Sequence, residues 1–255
     1  MTARAILWDF DGTLATRPGL WSSCVIEVLD LHNPGHGVSR ADAARFLESG
    51  FPWHHWEKVH DQLCDPDAWW DPVLAMIANA MLGAGVTLES VPTLAAHFRD
   101  RFLDSSRWHV YPDSAEALRL SASKGWRNVI ISNHVPELPR LVADLGLGEH
   151  VHAVLTSAAH GYEKPHPVAF RLALEAAEAP TAVWMIGDNP IADIAGAAQL
   201  GIPGILTRAP DLDPPLVHRL ESSYGASHFP DWQKHCDRRA STALEAVEFI
   251  LTEPG

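Results

Sequence analysis

Residues 6–14 read Ile6-Leu7-Trp8-Asp9-Phe10-Asp11-Gly12-Thr13-Leu14. An apolar run stops at two carboxylates one residue apart and passes straight into Gly-Thr. The plain reading is a buried strand ending in an Asp-Gly turn. In an open parallel sheet, however, functional groups collect at the carboxyl ends of the strands. The other strand ends therefore decide whether Asp9 and Asp11 are a turn or a site.

Five short apolar runs bounded by turn residues read as strands, at residues 4–8, 128–131, 153–156, 182–186 and 204–207. Between them lie helical patterns: "PDSAEALRLSASKG", "VPELPRLVADLGL", "HPVAFRLALEAAE" and "IADIAGAAQLG". Strands alternating with helices of this length predict an α/β fold, a Rossmann-like, doubly wound parallel sheet with helices on both faces. Gly146 and Gly201 fall where C-terminal capping glycines belong. A last helix over 242–251 opens with "TALE", the pattern of a capping box.

One gap breaks the alternation. Thr13 and Ser132 lie 119 positions apart, whereas a strand–helix–strand unit needs roughly 30 residues. The gap carries helical periodicity in "LWSSCVIEVLDL", "SRADAARFLESG", "DAWWDPVLAMIANAMLGAG" and "TLESVPTLAAHFRDRFL". Residues 16–108 are thus expected to form an inserted helical domain, and 1–15 with 109–255 the sheet domain. The Pro-rich "RAPDLDPPLV" is expected to be a surface connection.

The strand ends converge chemically. The first carries Asp9 and Asp11, the second Ser132-Asn133-His134. Beyond the third comes Lys164 in "GYEKPHP", and the fourth delivers Asp188 and Asp193 in "GDNPIADIAG". Crowded carboxylates raise one another's pKa unless a cation intervenes. A hard divalent ion with oxygen ligands is the natural remedy, and Mg²⁺ takes one or two carboxylates plus substrate phosphate. With a hydroxyl at Ser132, an amine at Lys164 and backbone N–H groups after Ser132, this set describes a phosphoryl site.

With those residues in place, the chain resembles the haloacid dehalogenase superfamily, a group dominated by phosphatases. "DFDGTL" is similar to its first motif, "IISN" to its second, "YEKPHP" to its third and "IGDNPIADIAGA" to its fourth, in order, across residues 1–15 and 109–207. The insertion stands where that family carries a mobile cap. The resemblance implies that Asp9 is a nucleophile forming an aspartyl-phosphate and that Asp11 is the general acid and base. It implies Mg²⁺ between Asp9, the backbone carbonyl of Asp11 and Asp188. Ser132, Asn133 and Lys164 would bind phosphoryl oxygens. Asp193 would support the metal site or Lys164, and Thr13 would orient the nucleophile loop. The expected activity is Mg²⁺-dependent hydrolysis of a small phosphomonoester, such as a sugar phosphate, phosphoglycolate or nucleotide. Haloacid dehalogenase and phosphomutase are the nearer rivals, and a non-catalytic binding protein on the same fold the more distant one.

Composition narrows the partners. A net charge of −13 opposes a nucleic-acid or anionic-membrane surface, so a small phosphorylated metabolite is the expected partner; oligomeric state is not readable. No run reaches membrane-spanning length, the N-terminus lacks signal-peptide character, and three scattered cysteines suit a reducing cytoplasm. No GxGxxG follows the first strand, which disfavours a dinucleotide-binding oxidoreductase. Within the insertion, His54, His55 and His60 have no regular ligand spacing and are expected to be ordinary surface or packing residues. Trp69 and Trp70 cannot share one helix face, so one is expected in the core and the other toward the cleft. Arg17 and Trp21 read equally as substrate contacts or hinge residues, and His134 as facing solvent.

Overall fold

In the computed structural model, which describes residues 3–209, 211–225 and 227–253, the Ile6–Trp8 run lies at the middle of the sheet. In chain order the strands are β1 (Arg4–Trp8), β2 (Ala15–Thr16), β3 (His109–Val110), β4 (Trp126–Ser132), β5 (Ala153–Thr156), β6 (Ala182–Gly187), β7 (Gly204–Thr207) and β8 (Arg239–Ala240). Six of them form one parallel sheet in the order β5-β4-β1-β6-β7-β8. The chain builds outward from β1 to β4 and β5, then crosses to β6, β7 and β8. The switch point therefore lies between β1 and β6, where Asp9 and Asp188 emerge.

Side-chain alternation explains why β1 is apolar throughout. Ile6 and Trp8 pack on one face with Leu118 and Val247, while Ala5 and Leu7 pack on the other with Phe170 and Ala173. These four residues are fully buried, and only Arg4 at the start of β1 is exposed, so neither face tolerates a polar residue between Arg4 and Asp9. The expected strands at 4–8, 153–156 and 204–207 are found with those bounds, while the second extends to Trp126–Ser132 and the fourth gains Gly187. β2, β3 and β8 are two residues each, too short for a periodic signal.

Four helices, α1 (Leu20–His32), α2 (Arg40–Arg45), α3 (Pro66–Gly83) and α4 (Val91–Phe102), lie between β2 and β3. The chain leaves and re-enters the sheet layer side by side, because Ala15 pairs with Val110 and Thr16 with His109, antiparallel. Arg17 is not in the cleft. It is 1% exposed and braces this crossing, bonding Glu27 Oε2 at 3.0 Å and the carbonyls of Leu20 and Arg101. Trp69 and Trp70 are both buried, against the expectation that one would reach the cleft. α3 is covered on two sides: Trp21 packs on both rings, and Trp70 Nε1 donates to Glu137 of the sheet layer at 3.1 Å.

After β3 come α5 (Ser114–Ser123), α6 (Leu138–Asp144), α7 (Ser157–His160), α8 (Pro167–Ala176), α9 (Gly196–Ala198), α10 (Pro214–Tyr224) and α11 (Ala243–Thr252). The expected surface connection after β7 is shorter than read: Asp213 caps α10 through Leu216 N at 2.9 Å, and Pro214-Pro215 open the helix. Within that stretch Pro210 lies outside the described residues. Thr242 caps α11 through Glu245 N, but the Glu245 carboxylate returns to Ser241 N rather than to Thr242. No helix among the described residues is long and apolar enough to cross a membrane.

Candidate active site

Asp9 leaves β1 with its N–H on Ile186 O of β6 at 2.9 Å, so the nucleophile candidate is anchored to the sheet at the switch point. The next residues turn back at once. Gly12 N donates to Ala15 O at 2.8 Å, while Leu14 N and Ala15 N both donate to Phe10 O. Gly12 sits at φ +85°, and a Cβ there would collide with the Asp188 carboxylate. Only glycine meets both demands. Thr13 is buried, but its hydroxyl has no partner; the loop is held by its carbonyl, which accepts from Arg208 Nε at 3.0 Å.

Around Asp9 the strand ends meet. Ser132 Oγ donates to Asp9 Oδ1 at 2.8 Å and Lys164 Nζ to the same oxygen at 2.7 Å. Lys164 Nζ also reaches Asp193 Oδ1 at 2.5 Å, and Asp193 Oδ2 accepts from Asn189 N at 2.9 Å. Asn133 lines the cavity and also positions the lysine: its side-chain carbonyl accepts from Lys164 N at 2.6 Å and its amide donates to Lys164 O at 2.8 Å. A cavity of about 350 Å³ opens over this cluster, lined at its floor by Asp9, Asp11, Ser132, Asn133, Lys164, Asp188 and Asp193. Of the residues expected to serve catalysis, phosphate or metal, only Thr13 lies off the cavity wall.

The charges do not balance. Four carboxylates share the floor with one ammonium. Burial pushes the Asp188 carboxyl well above the ordinary carboxylate range, and the charges of Asp9, Asp193 and Asp11 add to it. Burial and then Asp9 raise Asp11 to about 7, against the Gly12 N–H. Burial also raises Asp193, with Lys164 opposing it. Lys164 is held above the usual lysine range: burial opposes its charge, but Asp193 and Asp9 more than offset that. One oxygen each of Asp9, Asp188 and Asp193 lies within 4.8 Å of the others, the one such group of potential metal ligands among the described residues. Hard oxygen donors with excess negative charge fit Mg²⁺. Because Asp193 already serves Lys164, Asp9 and Asp188 are the side chains available to it. The histidines of the insertion form no such group.

Tyr224 escaped the sequence reading, and His134 was misread. Tyr224, the last residue of α10, brings its hydroxyl to Asn189 Nδ2 at 3.0 Å. His134 does not face solvent; it is 5% exposed and packs on Phe10 and Trp108 at ring distances of 5.5 and 5.3 Å. Burial lowers its pKa to about 4, partly countered by Asp9 and Val135, so the imidazole is neutral near pH 7. Its adjacency to Ser132-Asn133 was the available signal.

Glu163, beside Lys164, yields a stability prediction. It is 1% exposed, and burial raises its pKa from 4.5 to about 7 despite nearby Ser157 and Lys164. Between those values the folded chain keeps a proton that the unfolded chain has released. Stability therefore falls as pH rises through this window and levels off above it. Glu163→Gln should be stabilising by about 3 kcal/mol at pH 8 and near neutral at pH 4.5. Urea unfolding at the two pH values measures this; an equal effect at both would contradict it.

Residues 3–201 match the family profile described as haloacid dehalogenase-like hydrolase. The chain belongs to that family. The hydrolase is 31% identical over 163 residues to haloacid dehalogenase-like hydrolase domain-containing protein 3 of Bos taurus, covering 63% of this chain and 62% of that protein. It is 35% identical over 139 residues to a phosphoserine phosphatase of Thermus thermophilus, covering 53% and 54%. In both cases the match spans less than two thirds of the relative's own length. The hydrolase also superposes on the L-2-haloacid dehalogenase of Xanthobacter autotrophicus with a TM-score of 0.64 at 20% identity, covering 99% of this chain and 100% of that one. At that identity the likeness shows the fold alone.

Proposed function

We propose that the hydrolase is a Mg²⁺-dependent phosphatase acting on a small phosphomonoester through an aspartyl-phosphate on Asp9. The observation that carries this reading is the division of labour around Asp9. Both side-chain donors, Ser132 and Lys164, fall on Oδ1, leaving Oδ2 as the attacking oxygen. A second acid, Asp11, lines the same cavity. Attack on phosphorus expels an alkoxide, which Asp11 protonates; Asp11 then takes a proton from the water that cleaves the aspartyl-phosphate. Lys164 and Ser132 stand where charge develops on the phosphoryl oxygens. Asn133 keeps Lys164 in place, and Asp193 holds its ammonium charged.

Asp9, Asp188 and the Asp11 carbonyl are the groups that would hold Mg²⁺, which supplies charge neutralisation for the acids and the phosphoryl group. Similarity to a relative named phosphoserine phosphatase supports phosphate chemistry. A dehalogenase would need neither the second acid nor a cluster calling for a divalent ion. The net charge of −13 favours a small metabolite over a nucleic acid, and three free cysteines suit a reducing cytoplasm.

The deciding experiment is hydrolysis of a panel of phosphate esters and 2-haloacids with and without a chelator. Ester hydrolysis should stop with the chelator and return with Mg²⁺. Halide release that persists in the chelator, with no ester hydrolysed, would replace this reading with dehalogenation.

A further inference from the structure

Above its polar floor the cavity changes character. Leu20 and Trp21 of α1, Leu47, Phe51, Trp53 and Phe102 of α4 form the far wall. The rings make one continuous slab. Trp53 stacks on Phe51 at 4.4 Å, Phe51 meets Trp21 at 4.6 Å, and Trp21 stacks on Phe102 at 4.2 Å. Phe102 in turn lies 6.1 Å from the His134 ring, so the slab begins beside the phosphoryl end of the site. Because its rings already pack on one another, little ordering remains to be done when a ligand arrives.

Equally informative is what the described lining lacks. Its one lysine or arginine is Lys164, already paired with Asp9 and Asp193. Arg17, close in sequence to the wall, is turned into the helical layer toward Glu27. His54 and His134 are both pushed toward the neutral form by burial. Asn189 and Tyr224 bond each other. A carboxylate or second phosphate on the leaving group would therefore be taken out of water without a cation. A polyhydroxylated one would lose hydrogen bonds to water that the wall does not replace.

We propose, building on the phosphatase reading, that the preferred substrate is the phosphomonoester of an uncharged alcohol carrying an aromatic ring, with the phosphoryl group on Asp9 and the ring against Trp21 and Trp53, which the buried Phe51 and Phe102 back. Phosphoserine, bisphosphates and sugar phosphates are excluded as preferred substrates by the same wall. The leaving-group wall is built by α1, α4 and the segment between α2 and α3.

The test compares 2-phenylethyl phosphate with glycerol 3-phosphate, phosphoserine, phosphocholine and fructose 1,6-bisphosphate on the intact protein with Mg²⁺. All are alkyl esters, so the comparison does not merely rank leaving-group acidity. Burial of one ring predicts a kcat/KM advantage of at least about tenfold for the phenyl ester. Trp53→Ala should narrow the advantage to within about threefold. Leu47→Arg, which adds a cation at the wall, should raise phosphoserine relative to the phenyl ester. Binding of 2-phenylethylphosphonate against methylphosphonate, read by tryptophan fluorescence, tests the wall without chemistry and should show the same preference. Hydrolysis of the small or charged esters at least as fast as the phenyl ester would overturn the proposal, as would equal phosphonate affinities or a ratio unmoved by both variants. Hydrolysis of none of the esters would instead sink the phosphatase reading, while the phosphonate ratio still reports on the wall.

Discussion

Asp9→Asn is expected to fold normally and to lose phosphate-ester turnover by at least about four orders of magnitude. The substitution keeps the shape of a side chain that is 6% exposed and wedged between Ser132 and Lys164. An amide oxygen still accepts from both donors, so the surroundings have no reason to collapse. The amide is a poor nucleophile, however, and the covalent intermediate cannot form. Acid quenching of the wild type during turnover should trap an acyl phosphate that hydroxylamine releases, and the variant should trap none. Circular dichroism controls for folding. Turnover within tenfold of wild type, or phosphate trapped on another residue, would remove Asp9 from this role.

Lys164→Met should be damaging in a different way, since it removes the one ammonium from a floor of four acids. Lys164 bonds Asp9 at 2.7 Å and Asp193 at 2.5 Å with its side chain 3% exposed. Its loss leaves two buried carboxylates facing each other without a cation, a change that typically costs about 3–5 kcal/mol. Activity should fall by about a thousandfold or more, because a fixed positive charge at the phosphoryl oxygens is lost as well. The two effects can be separated. Adding Asp193→Asn to Lys164→Met removes one of the stranded charges and should recover much of the stability, but none of the activity. Urea denaturation of the single and double variants measures the first effect and steady-state kinetics the second. A single variant destabilised by less than 1 kcal/mol, or a double variant that regains turnover, would show that Lys164 does not neutralise this floor.

Most of the floor of the site was legible because it is written locally. Asp9 and Asp11 follow a strand whose apolar run is forced by burial on both faces, Ser132 and Asp188 stand at or just beyond strand ends, and Lys164 follows β5 after the short helix α7. Asn133 was found at the expected place, with a further use. Nothing in the spelling of Ser132-Asn133 says that its amide will also bond the Lys164 backbone, since that depends on two loops 31 residues apart coming into register. His134 was misread for a related reason. A histidine in a loop after a strand has no intrinsic direction; it is buried here because Phe10, Phe102 and Trp108 from three segments close around it.

The sequence by itself determined which residues can do chemistry and on which kind of scaffold they sit. Strand and helix periodicities, the Asp-Gly turn and the long helical gap are short-range signals that survive without coordinates. Tertiary structure alone decided the leaving-group end of the cavity. Leu47, Phe51, Trp53 and Phe102 are, in the sequence, four apolar residues scattered over some fifty-five positions, indistinguishable from the core of a helical layer, and Trp21 read equally as a substrate contact or a hinge residue. Tyr224 arrives from α10, in the last crossover, between β7 and β8. A wall is a property of surfaces brought together from distant segments, and the packing of side chains that face one another has no counterpart in the order of residues along one chain.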